Sequence, residues 1–104
     1  MIIGPVIRLN GVLYGGASYH RGIISIYPEL RNNGQRGFIT DDGEFLTRKE
    51  AALYVGIHKQ KLSEFAPLAA CEWKLHSCSI KTCDVDLIKI RSLIKEINSS
   101  NSRS

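Results

Sequence analysis

The chain has 104 residues, of which 43% are hydrophobic and 23% charged, with a formal net charge of +4. This length and composition suit one globular domain and exclude a fibrous or low-complexity chain. No apolar run approaches the ~18 residues of a membrane span, and the opening "MIIGPVIRLNG" lacks the basic-then-apolar pattern of a signal peptide. The basic balance permits an anionic partner without establishing one.

"PVIRLNGVLYG" predicts a first hairpin. Val6–Leu9 and Val12–Tyr14 are β-prone, and Asn10-Gly11 between them supplies the positive φ angles of a type I′ turn. Gly15-Gly16 ends it. "YHRGIISIYPEL" predicts a short helix, because Ile23, Ile24 and Tyr27 sit at helical spacing until Pro28 interrupts. "RNNGQRG" reads as a polar loop. "FITDDGEFLT" predicts a second hairpin turning at Asp42-Gly43.

Thr47 then opens a helix. Glu50 stands three residues on, at capping-box spacing, and Leu46 can staple against Ala51. The helix is expected over 48–55, with Gly56 as its left-handed stop. A second short helix is expected over 59–65, ended by Pro67. Extended pieces are expected around Trp73–Leu75 and Ile80. A last helix is expected from near Asp84, with Leu87, Ile90, Ile94 and Ile97 as its apolar stripe. The fold class is therefore α+β: one small domain over residues 1–97, with two hairpins, a helical corner and a C-terminal helix. "NSSNSRS" at 98–104 reads as a disordered tail.

Two helices joined at a glycine suit helix-turn-helix geometry. Ala51 and Ala52 let the helices approach, and Val55, Ile57 and Leu62 face inward. Lys59 and Lys61 would then reach phosphates, with Arg48 and Lys74 as further basic positions, and Gln60 would read a base edge. Leu46, Thr47, Glu50, Ala51, Ala52, Gly56 and Ile57 make this stretch resemble the helix-turn-helix of excisionase-type and other MerR-like small DNA-binding proteins. The resemblance implies major-groove binding by the 59–65 helix, with Trp73-Lys74 and Ile80-Lys81 in the place of the family's wing.

A second resemblance covers residues 6–56. Gly37-Phe38-Ile39-Thr40, Gly43, Phe45-Leu46, Arg48 and Glu50-Ala51, with His20 and Ile23-Ile24 upstream, are similar to small uncharacterised phage and prophage proteins. That likeness implies a mobile-element origin and a small α+β domain, with no known reaction. Small phage proteins often act on host defence, by blocking a complex or sequestering a signalling nucleotide; this is analogy.

Tyr19, His20 and Arg21, beside Gly15-Gly16, are the candidate ligand- or partner-binding segment. Arginine and histidine donate to a phosphate where glycines let the backbone approach. Cys71, His76, Cys78 and Cys83 carry zinc-type donors, but the usual Cys-x2-Cys knuckle is missing. The three cysteines are expected as buried free thiols in a cytoplasmic protein, without metal or cofactor. Asp41, Asp42 and Glu44 cluster at a hairpin tip, where Asp-Gly serves the turn. No nucleotide-binding glycine fingerprint is present. The expected function is binding, not catalysis. The leading form is a phage-type accessory protein acting on a host protein or a nucleotide-like anionic ligand. The alternative is an excisionase-like protein on double-stranded DNA.

Overall fold

The computed structural model describes residues 1–63, 75–76 and 79–101. Strands β1 (Ile2–Leu9) and β2 (Val12–Tyr14) form the first hairpin, with Leu9 opposite Val12. Asn10 and Gly11 turn the chain at φ of 52° and 80°, the values a type I′ turn demands. Helix α1 (His20–Ile26) follows, and Pro28 then opens a single 3-10 turn, Pro28–Leu30. Strands β3 (Gln35–Thr40) and β4 (Phe45–Thr47) make the second hairpin, with Gly43 at φ 84°.

Helix α2 (Arg48–Ile57) starts on a complete capping box. The Glu50 N–H donates to Thr47 Oγ1 at 3.1 Å, and the Thr47 N–H donates to Glu50 Oε1 at 2.9 Å, so two otherwise orphaned donors are satisfied reciprocally. Helix α3 (Leu87–Asn101) starts on Asp86, whose carboxylate accepts from the Lys89 N–H at 3.0 Å.

The four strands form one antiparallel sheet in the order β2-β1-β3-β4. The central pairing joins the two hairpins, from Ile2 opposite Thr40 to Arg8 opposite Gln35, with an irregularity between Ile2 and Gly4. Successive residues of a strand point to opposite faces, and both faces are apolar here. Phe38 and Leu46 pack with Ala51 and Val55 of α2; Ile7 packs with Ile23 of α1 and with Leu30. Their neighbours Val6 and Ile39 pack on the other face with Ile90, Leu93, Ile94 and Ile97 of α3. The stripe on α3 thus packs on the sheet, with Ile90 fully buried, and the sheet is a middle layer between α1 and α2 on one side and α3 on the other.

Five sequence expectations need correction. α2 does not stop at Gly56. It runs to Ile57, and Lys59 takes the left-handed position instead, at φ 53°. The Gln60 N–H then reaches back to the Val55 carbonyl at 3.1 Å, the bond of a Schellman ending. The helix expected over 59–65 accordingly does not form over 59–63, because the chain has just reversed; residues 64 and 65 lie outside the described residues. Ile57, expected inward, is 75% exposed. Ile80-Lys81 forms no strand, and Trp73-Lys74 lies outside the described residues. The tail expected from residue 98 is helical through Asn101.

Candidate anion-binding groove

α1 carries the first site segment, and its placement begins with His20. His20 is 6% exposed, with its Nε2 2.7 Å from the Gly37 carbonyl of β3 and its ring edge-on to Phe38 at 5.3 Å. The Nε2–H tautomer donates to that carbonyl. Burial pushes the His20 pKa down from 6.5 to about 4. The Gly37 hydrogen bond works against this, and the charges of Arg36 and Arg48 add to it. His20 therefore ties helix to sheet as a neutral group. Within the expected ligand segment it is thus buried and supports the residues beside it.

The residues flanking that tie converge. Arg21 follows His20 on α1, and Arg36 precedes Gly37 on β3. Together with Arg31, after the 3-10 turn, they line a groove of about 560 Å³. Ile24, Ser25 and Pro28 also line it, and among the described residues no carboxylate does. All three arginines are exposed, and among the described residues none has an ion-pair partner. Tyr19, 49% exposed, is the N-cap residue of α1 and does not line the groove. The sequence pointed to Arg21 but missed Arg31 and Arg36. Both fall in a stretch that reads as a solvated polar loop; the 3-10 turn places Arg31, and the register of β3 places Arg36.

The helical corner is occupied with internal work. Gln60, expected to read a base, clasps β1 instead. Its Oε1 accepts from the Ile2 N–H at 2.8 Å, and its Nε2 donates to the Ile2 carbonyl at 3.0 Å. Arg48 donates from Nε to the Leu75 carbonyl at 3.0 Å and from Nη2 to His76 Nδ1 at 2.6 Å. The Leu75 N–H returns a bond to the Arg48 carbonyl at 3.0 Å. Both side chains, expected on nucleic acid, are engaged here in holding the fold. Lys59 and Lys61 are exposed, on backbone that is not helical. Lys74 lies outside the described residues, as do Cys71 and Cys78 of the thiol cluster; Cys83 is exposed and free.

A second carboxamide does the same work at the sheet edge. Asn98 Oδ1 accepts from the Leu13 N–H at 2.9 Å, and its Nδ2 donates to the Leu13 carbonyl at 3.0 Å. Leu13 lies on β2, an edge strand, so Asn98 pairs with backbone that a further strand would otherwise take. Gln60→Leu keeps much of the volume and leaves the Ile2 N–H and C=O unpaired. It is expected to destabilise the domain by about 2 kcal/mol, since each unsatisfied partly buried group costs ~1–3 kcal/mol. Urea denaturation of the variant checks this, and a change below about 0.5 kcal/mol would show that water replaces the clasp without cost.

At the second hairpin's tip, Asp41 Oδ1 lies 3.0 Å from the Met1 amino group, which also contacts the Tyr54 hydroxyl. The bond from that amino group holds the Asp41 carboxyl below its usual pKa. Comparison with protein-family models, with curated proteins and with solved structures finds no match to this chain.

Proposed function

We propose that this protein is a non-catalytic accessory protein, of the kind mobile genetic elements encode, that binds an anionic partner in the groove between α1, the 3-10 turn and β3. The observation that supports this reading is the convergence of Arg21, Arg31 and Arg36 on one groove, with no carboxylate lining it among the described residues. Like charges brought together raise the free energy of the unliganded protein, and an anion seated between them lowers it. Arginine also presents a planar fork of donors matched to an oxyanion. Binding fits better than turnover, because the described lining offers no histidine, cysteine or carboxylate to move a proton.

The origin rests on the motif likeness of residues 6–56. The groove stands independently of it. A recognition-helix reading loses support, since residues 59–63 are not helical and Gln60 is engaged by β1.

Pyrophosphate, followed by titration calorimetry at about 50 and 200 mM salt, is a suitable first probe. Arg21→Ala with Arg36→Ala is expected to weaken its binding at least tenfold, since each charged hydrogen bond contributes ~1.5–3 kcal/mol. Lys59→Ala with Lys61→Ala should leave the affinity unchanged. The opposite pattern, loss with the lysines and none with the arginines, would move the site to the end of α2 and restore the DNA reading.

A further inference from the structure

We infer that the anion taken by this groove is a nucleoside phosphate, with its phosphoryl oxygens on Arg21, Arg31 and Arg36 and its base against Ile24 and Pro28. The inference rests on the anion-binding reading above and narrows it to one ligand class.

Charge count comes first. Three arginines, with no carboxylate beside them in the described lining, concentrate positive charge in about 560 Å³. A single carboxylate of a protein partner brings one negative charge. A phosphate monoester brings about −1.5 to −2 at neutral pH, with three acceptor oxygens, and a polyphosphate brings more. Several forks can close on such a group from different sides.

Apart from Ser25, the remaining described lining is apolar. Ile24 is half-buried and Pro28 exposed, and between them they form an apolar wall that a bare inorganic anion leaves wet. A planar base covers such a wall, and a guanidinium that is not on phosphate stacks on its face. Ser25 supplies a hydroxyl that can both donate and accept, as a ribose requires. The groove's size falls in the ~300–1,000 Å³ range of small-molecule sites. A duplex would ask instead for a continuous basic stripe, and neither Lys59 nor Lys61 lines the groove.

The elements holding the groove are fixed before any ligand arrives. Arg21 and Arg36 each adjoin one end of the His20–Gly37 hydrogen bond, so the helix and strand that bear them share one tie. Holding the backbone that bears Arg21 and Arg36 in place lowers the ordering cost on binding, which is then confined to the side chains.

Titration calorimetry of the full chain with adenosine triphosphate, adenosine monophosphate, adenosine, pyrophosphate and a double-stranded oligonucleotide tests the class. The triphosphate is expected to bind at least tenfold more tightly than pyrophosphate, and adenosine alone is expected not to bind. Arg31→Lys keeps the charge and removes the fork; it should weaken the triphosphate about tenfold while circular dichroism stays that of the wild type. Ile24→Asp should abolish the preference for triphosphate over pyrophosphate. Equal binding of triphosphate and pyrophosphate would overturn the nucleotide class and leave the anion-binding reading standing. Binding of the oligonucleotide alone would overturn the small-ligand class as well. No binding of any anion would end both readings.

Discussion

Acidification from pH 7 to pH 4 is expected to remove about 3 kcal/mol of stability through His20 alone. The folded protein holds this imidazole neutral down to about pH 4, whereas the unfolded chain takes up a proton near pH 6.5. Between those values the unfolded state binds more protons, so stability falls as the pH falls. The contribution is complete above about pH 6.5 and lost progressively down to about pH 4, at ~1.4 kcal/mol per pH unit. Burial is the first cause, since a charged imidazole in that position has lost its water. Glu50, whose pKa is held down chiefly by its bond from the Thr47 backbone, and Asp41 add losses of the same sign as they protonate. The His20 part is isolated by difference. Urea midpoints of the wild type and of His20→Gln, measured from pH 7 to pH 4, should converge as the pH falls. Parallel curves would mean that His20 titrates alike in the folded and unfolded states.

Gly37→Ala is expected to cost at least about 3 kcal/mol, at the upper end of what overpacking usually costs. A methyl group there would lie 2.3 Å from the Leu46 carbonyl oxygen and 2.5 Å from Phe45 Cζ. The first is backbone of the neighbouring strand and cannot step aside without opening the β3–β4 ladder. The second is a ring held from above by the Arg8 guanidinium, 4.2 Å from its centroid. Gly56→Ala gives the matching change of opposite sign. Its added methyl meets nothing within 4 Å, it lies inside α2, and it carries no left-handed φ. Alanine there should stabilise by about 0.5–1 kcal/mol, because glycine loses more backbone freedom in a helix. Denaturant titration of both variants checks the pair. A loss under about 1 kcal/mol for Gly37→Ala would mean that β4 moves freely, and the tight register of the second hairpin would be wrong.

The site was partly legible. Arg21 stood out because it follows two glycines and a histidine. Its neighbour His20 has the residue type of a ligand group and the position of a core group, and only its burial separates the two. Gln60 shows the same ambiguity. A glutamine between two lysines after a helix reads as a base-reading side chain when the next residues continue a helix. Lys59 in the left-handed region ends that continuation, and no local rule marks a lysine for that role as glycine is marked.

By itself the sequence determined the elements whose physics is local. Asn10-Gly11 and Asp42-Gly43 specify their turns because a few side chains set the backbone angles there. Thr47 and Glu50 specify the start of α2 because donor and acceptor lie three residues apart. The spacing of Leu87, Ile90, Ile94 and Ile97 specifies one apolar face, and α3 buries that face on the sheet. Tertiary structure decided what depends on distant partners. The pairing of β1 with β3 set the strand order. Bonds spanning 58 and 85 residues turned Gln60 and Asn98 into clasps for backbone. One spanning 17 residues set His20 against Gly37, so that Arg36 joined Arg21 and Arg31 around one groove. Local composition fixes backbone angles and periodicity. Which side chains then meet is settled by burying both faces of the sheet at once, a condition on the whole chain.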